Sequence, residues 1–326
     1  MPTPTPPPAP DHGATELPED PFAQLIAVLS LERLGEATMS VTSGVDDTTS
    51  DAESRRDVFL GQSQRVPHGR VFGGQVLAQS IMAAGATVAD EPGAAPRPIH
   101  SLHAYFVRPG DDKKPIRFSV QRVRDGGSFS VRRVHAIQDD DTIFVMYASF
   151  QEVADGLDHH EAMPEVPGPE DLPTVADQIG HLEHPVAQYA AYRRAIDMRH
   201  VEGGIWLNAR PDQAPNQHVW MRAKGELPDD PLMHAAVLAY ASDYALLEPV
   251  IRGHGLAWGD PRLRVASLDH VMWFHRPARA DDWILYTQNS PSAQGGRGLG
   301  VGRMFSRDGT LLASVAQEGM VRLKDG

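Results

Sequence analysis

Apolar and polar positions alternate along this chain at two periods. Pro21–Leu34 carries Phe22, Leu25, Ile26, Leu29 and Leu31 at near-helical spacing, which predicts a short amphipathic helix. Val58-Phe59-Leu60 starts a strand. Gly73–Val88 places Val76, Leu77, Ser80, Ile81 and Ala84 on one side. That face is wide and rich in small residues, as a helix needs to lie close against a sheet. His100–Arg108 alternates around Leu102, Ala104 and Phe106, which predicts a strand. Phe129–Ile137 and Thr142–Gln151 flank an Asp139-Asp140-Asp141 turn and predict a hairpin. Further on, His218–Arg222 reads as a strand. Asp230-Pro231 opens a helix running to Leu247, with Asp229 or Asp230 as cap and Pro231 in the first turn. Strands follow at Arg264–Phe274, Trp283–Asn289, Gly296–Phe305 and Thr310–Arg322, the last two joined by an Arg307-Asp308-Gly309 turn.

Three stretches lack such patterns. Met1–Asp20 is Pro-rich with small polar residues and is expected to be disordered, because it buries too little to offset ordering entropy. Ser43–Arg56 is polar and acidic and reads as a mobile loop. Glu152–Pro215 is rich in Pro, His and acidic residues and reads as a linker, with one helix over Ala187–Arg199.

The patterned parts repeat. Tyr105-Phe106-Val107-Arg108-Pro109, ending in Ala148-Ser149-Phe150-Gln151-Glu152, parallels Trp273-Phe274-His275-Arg276-Pro277, ending in Ser314-Val315-Ala316-Gln317-Glu318. The helix at Val76-Leu77-Ala78 parallels that at Val237-Leu238-Ala239. So long a repeat means two copies of one domain. Each copy is a strand, a long helix, then antiparallel strands. The expected class is α+β: a double hotdog, two tandem copies of an antiparallel sheet wrapped around a long central helix. The expected divisions are a tail at 1–20, a first hotdog domain at 21–152, a linker at 153–215 and a second hotdog domain at 216–326.

Composition narrows the options. The chain's 326 residues have room for two ordinary domains. A net charge of −13 argues against a nucleic-acid surface. The absence of Cys excludes disulfides, thiolate metal sites and Cys nucleophiles. The N-terminal stretch lacks the basic and apolar regions of a signal peptide, and no apolar run approaches a membrane span. The C-terminus is not a peroxisomal tripeptide, so a cytoplasmic location is the expectation.

Candidate chemistry lies where the copies differ. Aligning the helices puts Met82 opposite Asp243, and aligning the Phe-x-Arg-Pro motifs puts Ile99 opposite Ser267. A carboxylate in an apolar helix is costly unless hydrogen-bonded, so Asp243 is either a functional group or a satisfied buried one. Gln151 and Gln317 are read as equivalent, so Gln alone can be structural, and only the second copy offers Asp, Ser and Gln together. Phe72-Gly73-Gly74-Gln75 precedes the first long helix; Gly73 and Gly74 either form a tight loop or expose N–H groups able to hold a carbonyl oxygen. His181 and His184 lack a placed third ligand, so no metal and no cofactor is expected. Gly296, Gly298, Gly300 and Gly302 bare one face of a strand to close backbone approach.

Arg70-Val71-Phe72-Gly73-Gly74-Gln75-Val76, Tyr105-Phe106-Val107-Arg108-Pro109-Gly110, Arg124-Asp125-Gly126-Gly127-Ser128-Phe129, Ser267-Leu268-Asp269-His270-Val271-Met272-Trp273-Phe274-His275-Arg276-Pro277 and Gln317-Glu318-Gly319 resemble the acyl-CoA thioesterase II family, over about Pro21 to Arg322. The resemblance implies a double-hotdog enzyme that hydrolyses acyl-CoA to free fatty acid and CoA. It implies a catalytic trio of Asp243, Ser267 and Gln317, read here as holding a water nucleophile; the free N–H groups at the helix start make Gly73 or Gly74 the candidate donor to the substrate carbonyl. Ser43–Arg56 looks like an insertion relative to compact bacterial members. The partner expected is acyl-CoA, with no nucleic acid and no membrane span, and the assembly expected is a homodimer or homotetramer. The alternatives are a hotdog-type enoyl-CoA hydratase, which usually wants a His beside the Asp, and a catalytically silent acyl-CoA-binding protein.

Overall fold

A computed structural model describes residues 17–39, 54–89, 96–207 and 214–324. Of the tail expected over 1–20, residues 1–16 lie outside the described residues, as do residues 43–53 of the loop expected over 43–56. The first part of the chain runs α1 (Pro21–Leu29), β1 (Glu32–Met39), β2 (Ser54–Gly61), α2 (Gly73–Ala89), β3 (Ile99–Phe106), β4 (Ile116–Asp125), β5 (Phe129–Gln138) and β6 (Asp141–Gln151). Short helices α3 (Val175–Ile179) and α4 (Pro185–Gln188) precede β7 (Ile196–His200), β8 (Asn216–Ala223), α5 (Pro231–Ser242) and α6 (Glu248–Gly253). The chain ends with β9 (Leu263–Ser267), β10 (Asp269–Phe274), β11 (Ile284–Gln294), β12 (Arg297–Ser306) and β13 (Leu311–Leu323).

All strands among the described residues join one 13-stranded sheet in the order β1-β2-β4-β5-β6-β3-β10-β13-β12-β11-β8-β7, with β9 pairing β13. Every pairing is antiparallel, so the α+β class holds. The order reads alike from both ends. Strands β1 and β2, which precede α2, mirror β7 and β8, which precede α5. Strands β3 and β10 meet at the centre, where Val271 pairs with His103.

Helices α2 and α5 pack together, with Val76, Leu77, Ile81, Val237 and Leu238 buried in one core. They run antiparallel: a Cβ on Gly74 would lie 2.4 Å from the Tyr240 carbonyl oxygen, and one on Gly85 would lie 2.4 Å from Leu232 Cδ2. Small residues at both ends therefore set the close approach. The N-cap of α5 is Asp230, whose Oδ1 accepts from the Leu232 N–H at 2.9 Å.

Several expected boundaries move. Helix α1 stops at Leu29 rather than Leu34, because the Ser30 hydroxyl donates to the Ile26 carbonyl at 2.9 Å and the chain turns into β1. Strand β2 begins at Ser54, so Arg55 and Arg56 leave the expected loop and pair in the sheet. Strand β4 went unread because its second half is solvent-exposed and Arg-rich. The helix expected over Ala187–Arg199 ends in a π turn at Arg193, and β7 follows it to pair with β8. The segment read as a linker without strands thus supplies an edge strand. Helix α5 ends at Ser242 rather than Leu247: the Tyr244 N–H turns back to the Ala241 carbonyl at 3.2 Å, the Ser242 carbonyl accepts from the Tyr286 hydroxyl at 3.3 Å, and Pro249 starts α6 in its first turn. The freed Ala245 carbonyl accepts instead from the Glu248 N–H at 3.0 Å and from Gln217 Nε2 at 3.2 Å.

Candidate active site

Asp243 is the C-cap of α5, at φ −80° and ψ −11°, not a mid-helix residue. This end of α5 faces the N-terminus of α2. An added Cβ on Gly73 would sit 2.6 Å from Asp243 Oδ2, so glycine lets the carboxylate lie against that helix start. The Gly74 N–H donates to it. A helix N-terminus favours a negative charge through its free N–H groups and its dipole.

Ser267 arrives by a bulge. Strand β9 pairs Ser267 with Gly319, whereas β10 pairs Val271 with Ala316, so one extra residue lies between them on this side. Without that residue the period-2 alternation would aim Ser267 outward. With it, the hydroxyl comes to 3.4 Å from Asp243 Oδ1. Gln317 completes the cluster: its Nε2 donates to Asp243 Oδ1 at 3.0 Å and to Ser267 Oγ at 2.6 Å. Gln317 is buried, while the residues Asp243 and Ser267 are half-buried.

The structure brings Asp243, Ser267, Gln317, Gly73 and Gly74 to one place. It also corrects one equivalence. In the first half Ile99 pairs with Phe150 and Leu102 with Ala148, across the same kind of register shift. By that register Ala148, not Gln151, stands where Gln317 stands, and Gln151 lies on the other face of β6. Leu102 stands where the second half has His270. The second half therefore replaces apolar residues at Ile99, Leu102 and Ala148 with Ser267, His270 and Gln317.

His270 is the residue that comparing the halves by motif alone missed. It is fully buried, and burial pushes its imidazole down to about 4. Its Nδ1 lies 2.5 Å from Gln317 Oε1, and its Nε2 lies 2.9 Å from Ser242 Oγ. The signal was in the sequence: the same Phe-x-Arg-Pro alignment that sets Ile99 opposite Ser267 sets Leu102 opposite His270.

Burial raises the Asp243 carboxyl from the ordinary 3.8 to about 6, against the opposing pull of Gln317, the Gly74 N–H and Ser267. Such a group is largely ionised at neutral pH yet more basic than a free carboxylate, which suits it to take a proton from water. The Gly74 N–H is committed to Asp243, and the Gln75 and Val76 N–H groups to the Phe72 carbonyl. Of the two glycines, Gly73 is thus the better placed to meet a substrate oxygen.

Other polar features lie apart. Among the described residues no cluster of His, Asp and Glu is placed to hold a metal, and His184 Nδ1 accepts from the Val186 N–H at 3.3 Å. An open groove of about 580 Å³ between Arg222, Lys224 and Arg279 shares no residue with the cluster. No described helix is long and apolar enough to cross a membrane.

Comparison with known proteins identifies the family. The family model for acyl-CoA thioesterase matches residues 202–320, and that for the acyl-CoA thioesterase N-terminal domain matches 62–151. Acyl-coenzyme A thioesterase 8 of Homo sapiens is 41% identical over 282 residues, covering 82% of this chain and 85% of that protein. Acyl-CoA thioesterase 2 of Haemophilus influenzae is 36% identical, covering 82% and 93%. The crystal structure of an acyl-CoA thioesterase II from Mycobacterium marinum superposes with a TM-score of 0.69 at 39% identity, covering 93% of this chain and 99% of that one. A protein with hot dog fold from Alicyclobacillus acidocaldarius, at 20% identity and a TM-score of 0.68, shares the fold. The chain belongs to the acyl-CoA thioesterase II family.

Proposed function

We propose that this protein hydrolyses acyl-CoA to a free carboxylic acid and CoA, with water as the nucleophile held by Asp243, Ser267 and Gln317. The observation that carries the reading is the convergence of these side chains on Asp243 Oδ1, at 3.0 Å from Gln317 and 3.4 Å from Ser267. Asp243 orients the water and takes its proton. The water oxygen forms a bond to the thioester carbonyl carbon, and the carbonyl electrons move to its oxygen. The Gly73 N–H, at the start of α2, stabilises that oxyanion. Collapse breaks the C–S bond, and the thiolate leaves with a proton. Release of CoA from a mid-length acyl-CoA, followed with a thiol reagent, tests this. Hydration of an enoyl-CoA without thiol release would indicate the hydratase, and binding without either reaction a silent binder.

The architecture fits a tandem double hotdog with α2 and α5 as the central helices, and with the divisions at 21–152 and 216–326. The palindromic strand order is the support for this reading. Cytoplasmic location remains part of it.

Ser267 holds water and does not attack. Ser267→Thr should retain substantial activity, while Ser267→Ala should lose roughly 10-fold or more in kcat. Trapping an acyl group on Ser267 by mass spectrometry would overturn the water mechanism in favour of covalent catalysis.

The assembly we expect is a homodimer or homotetramer. Tyr105, Tyr147 and Trp273 stand 65%, 43% and 40% exposed on the adjacent strands β3, β6 and β10, an aromatic surface suited to a second copy. Light scattering giving a mass near 35.6 kDa at micromolar concentration would reject this. Since Ile99, Leu102 and Ala148 replace the polar residues in the first half, a tight non-hydrolysable acyl-CoA analogue should saturate at one per chain.

A further inference from the structure

A buried imidazole in a sheet core is costly unless both ring nitrogens are satisfied. His270 satisfies both, and the arrangement fixes which nitrogen carries the proton. The ionised Asp243 accepts from Gln317 Nε2 at 3.0 Å, so the amide oxygen must point the other way. That oxygen meets His270 Nδ1 at 2.5 Å, so Nδ1 carries the proton. Burial keeps the ring neutral, so Nε2 is bare; it lies 2.9 Å from the Ser242 hydroxyl, whose one proton also faces the Ala239 carbonyl at 2.8 Å.

We propose that His270 is a positioning residue: its Nδ1–H holds the Gln317 amide with Nε2 toward Asp243 and Ser267 throughout turnover. The inference rests on the reading of Gln317 as part of the water-holding trio. Its force comes from a step within that reading. While Asp243 is ionised, the carboxylate alone orients the amide. Once Asp243 has taken the proton from water, it can donate as well as accept, and it no longer distinguishes the two ends of the amide. A flipped amide would aim its oxygen at Ser267 and withdraw the donor from the site. The Nδ1–H of His270 still distinguishes the ends at that moment, because it can pair only with Oε1. The Ser242 link adds a tether, since Ser242 immediately precedes Asp243 in the chain.

Asparagine carries its N–H on the same branch atom as Nδ1, whereas leucine has no donor. His270→Leu should lower kcat roughly 10- to 100-fold with KM changed less than about twofold, the cost of a misaligned group rather than of lost binding. His270→Asn should recover most of that loss. Asparagine no better than leucine, or leucine with near-normal kcat, would overturn the proposal. Nitrogen-15 NMR of histidine-labelled wild-type enzyme reads the tautomer directly, even if the leucine variant does not fold. The resonance absent from His270→Asn should report a protonated Nδ1 and a bare Nε2; the opposite tautomer overturns the assignment. Gln317→Ala separates the two levels. Normal turnover in that variant would sink the trio itself, whereas lost turnover with an indifferent His270→Leu would sink only the positioning role.

Discussion

Asp243→Asn should lower kcat by on the order of 10²-fold or more, with KM moving little, because a positioned base contributes on that scale. Asparagine keeps the shape and can still accept from Gln317, but it cannot take a proton. The wild-type rate should rise with pH through about 6, the value to which burial raises this carboxyl, and level off above it. The sign for stability is opposite. A carboxyl raised from 3.8 to about 6 holds its proton in the folded state where the unfolded chain has lost it. Its contribution is therefore fully present below pH 4 and is lost as pH rises through 6, by up to about 3 kcal/mol. The asparagine variant carries no such penalty. It should be at least as stable as wild type at pH 8 while almost inactive, as thermal unfolding beside steady-state kinetics can measure. A variant with near-normal turnover would make Asp243 a structural residue only.

Much of this arrangement is legible from the residues. The helix over Gly73–Val88 announces itself because its apolar stripe and small residues match what α2 does against α5. The hairpins around Asp139–Asp141 and Arg307–Gly309 are readable because local turn chemistry fixes them, and Gly309 takes φ +92° as the second turn demands. Strands β1 and β7 are less readable because they close the two edges of the sheet, where one side needs no partner strand. The pairing of Gln151 with Gln317 fails for a different reason. Matching residue types along the chain ignores the sheet register, and a shift of one residue moves a side chain to the other face. Leu102 opposite Ala148 is visible only from the pairing of β3 with β6. The end of α5 is equally non-local: Tyr240 to Leu247 is good helix sequence, but the Ser242 carbonyl is taken by the Tyr286 hydroxyl from β11 at 3.3 Å and the Ala245 carbonyl by Gln217 from β8 at 3.2 Å.

Gly300→Ala should cost about 3 kcal/mol, the upper end of the range for overpacking a core, and should reduce kcat by roughly 10-fold or more. Gly300 pairs with Gln317 across β12 and β13. Its bare face is where the turn after Asp243 rests: an added Cβ would sit 2.1 Å from the Leu246 carbonyl oxygen and 3.0 Å from its carbon. Backbone on backbone has no rotamer to escape into, so either the strand or the turn must move. Moving the turn draws Asp243 away from Gln317, because only three residues of chain separate Asp243 from Leu247. The neighbouring glycines provide the comparison. At Gly298 the added carbon would meet Val250 Cγ1 at 2.5 Å, and at Gly302 it would first meet Tyr286 Cε2 at 2.3 Å, both side-chain atoms. Side chains can yield part of that distance, so alanine at 298 or 302 should cost less than alanine at 300 and should leave kcat closer to normal. Urea denaturation of the three variants, read beside their turnover, tests the ordering. A Gly298→Ala variant as damaged as Gly300→Ala in both measures would mean that strand rigidity, rather than the seat of the Leu246 carbonyl, fixes the position of Asp243.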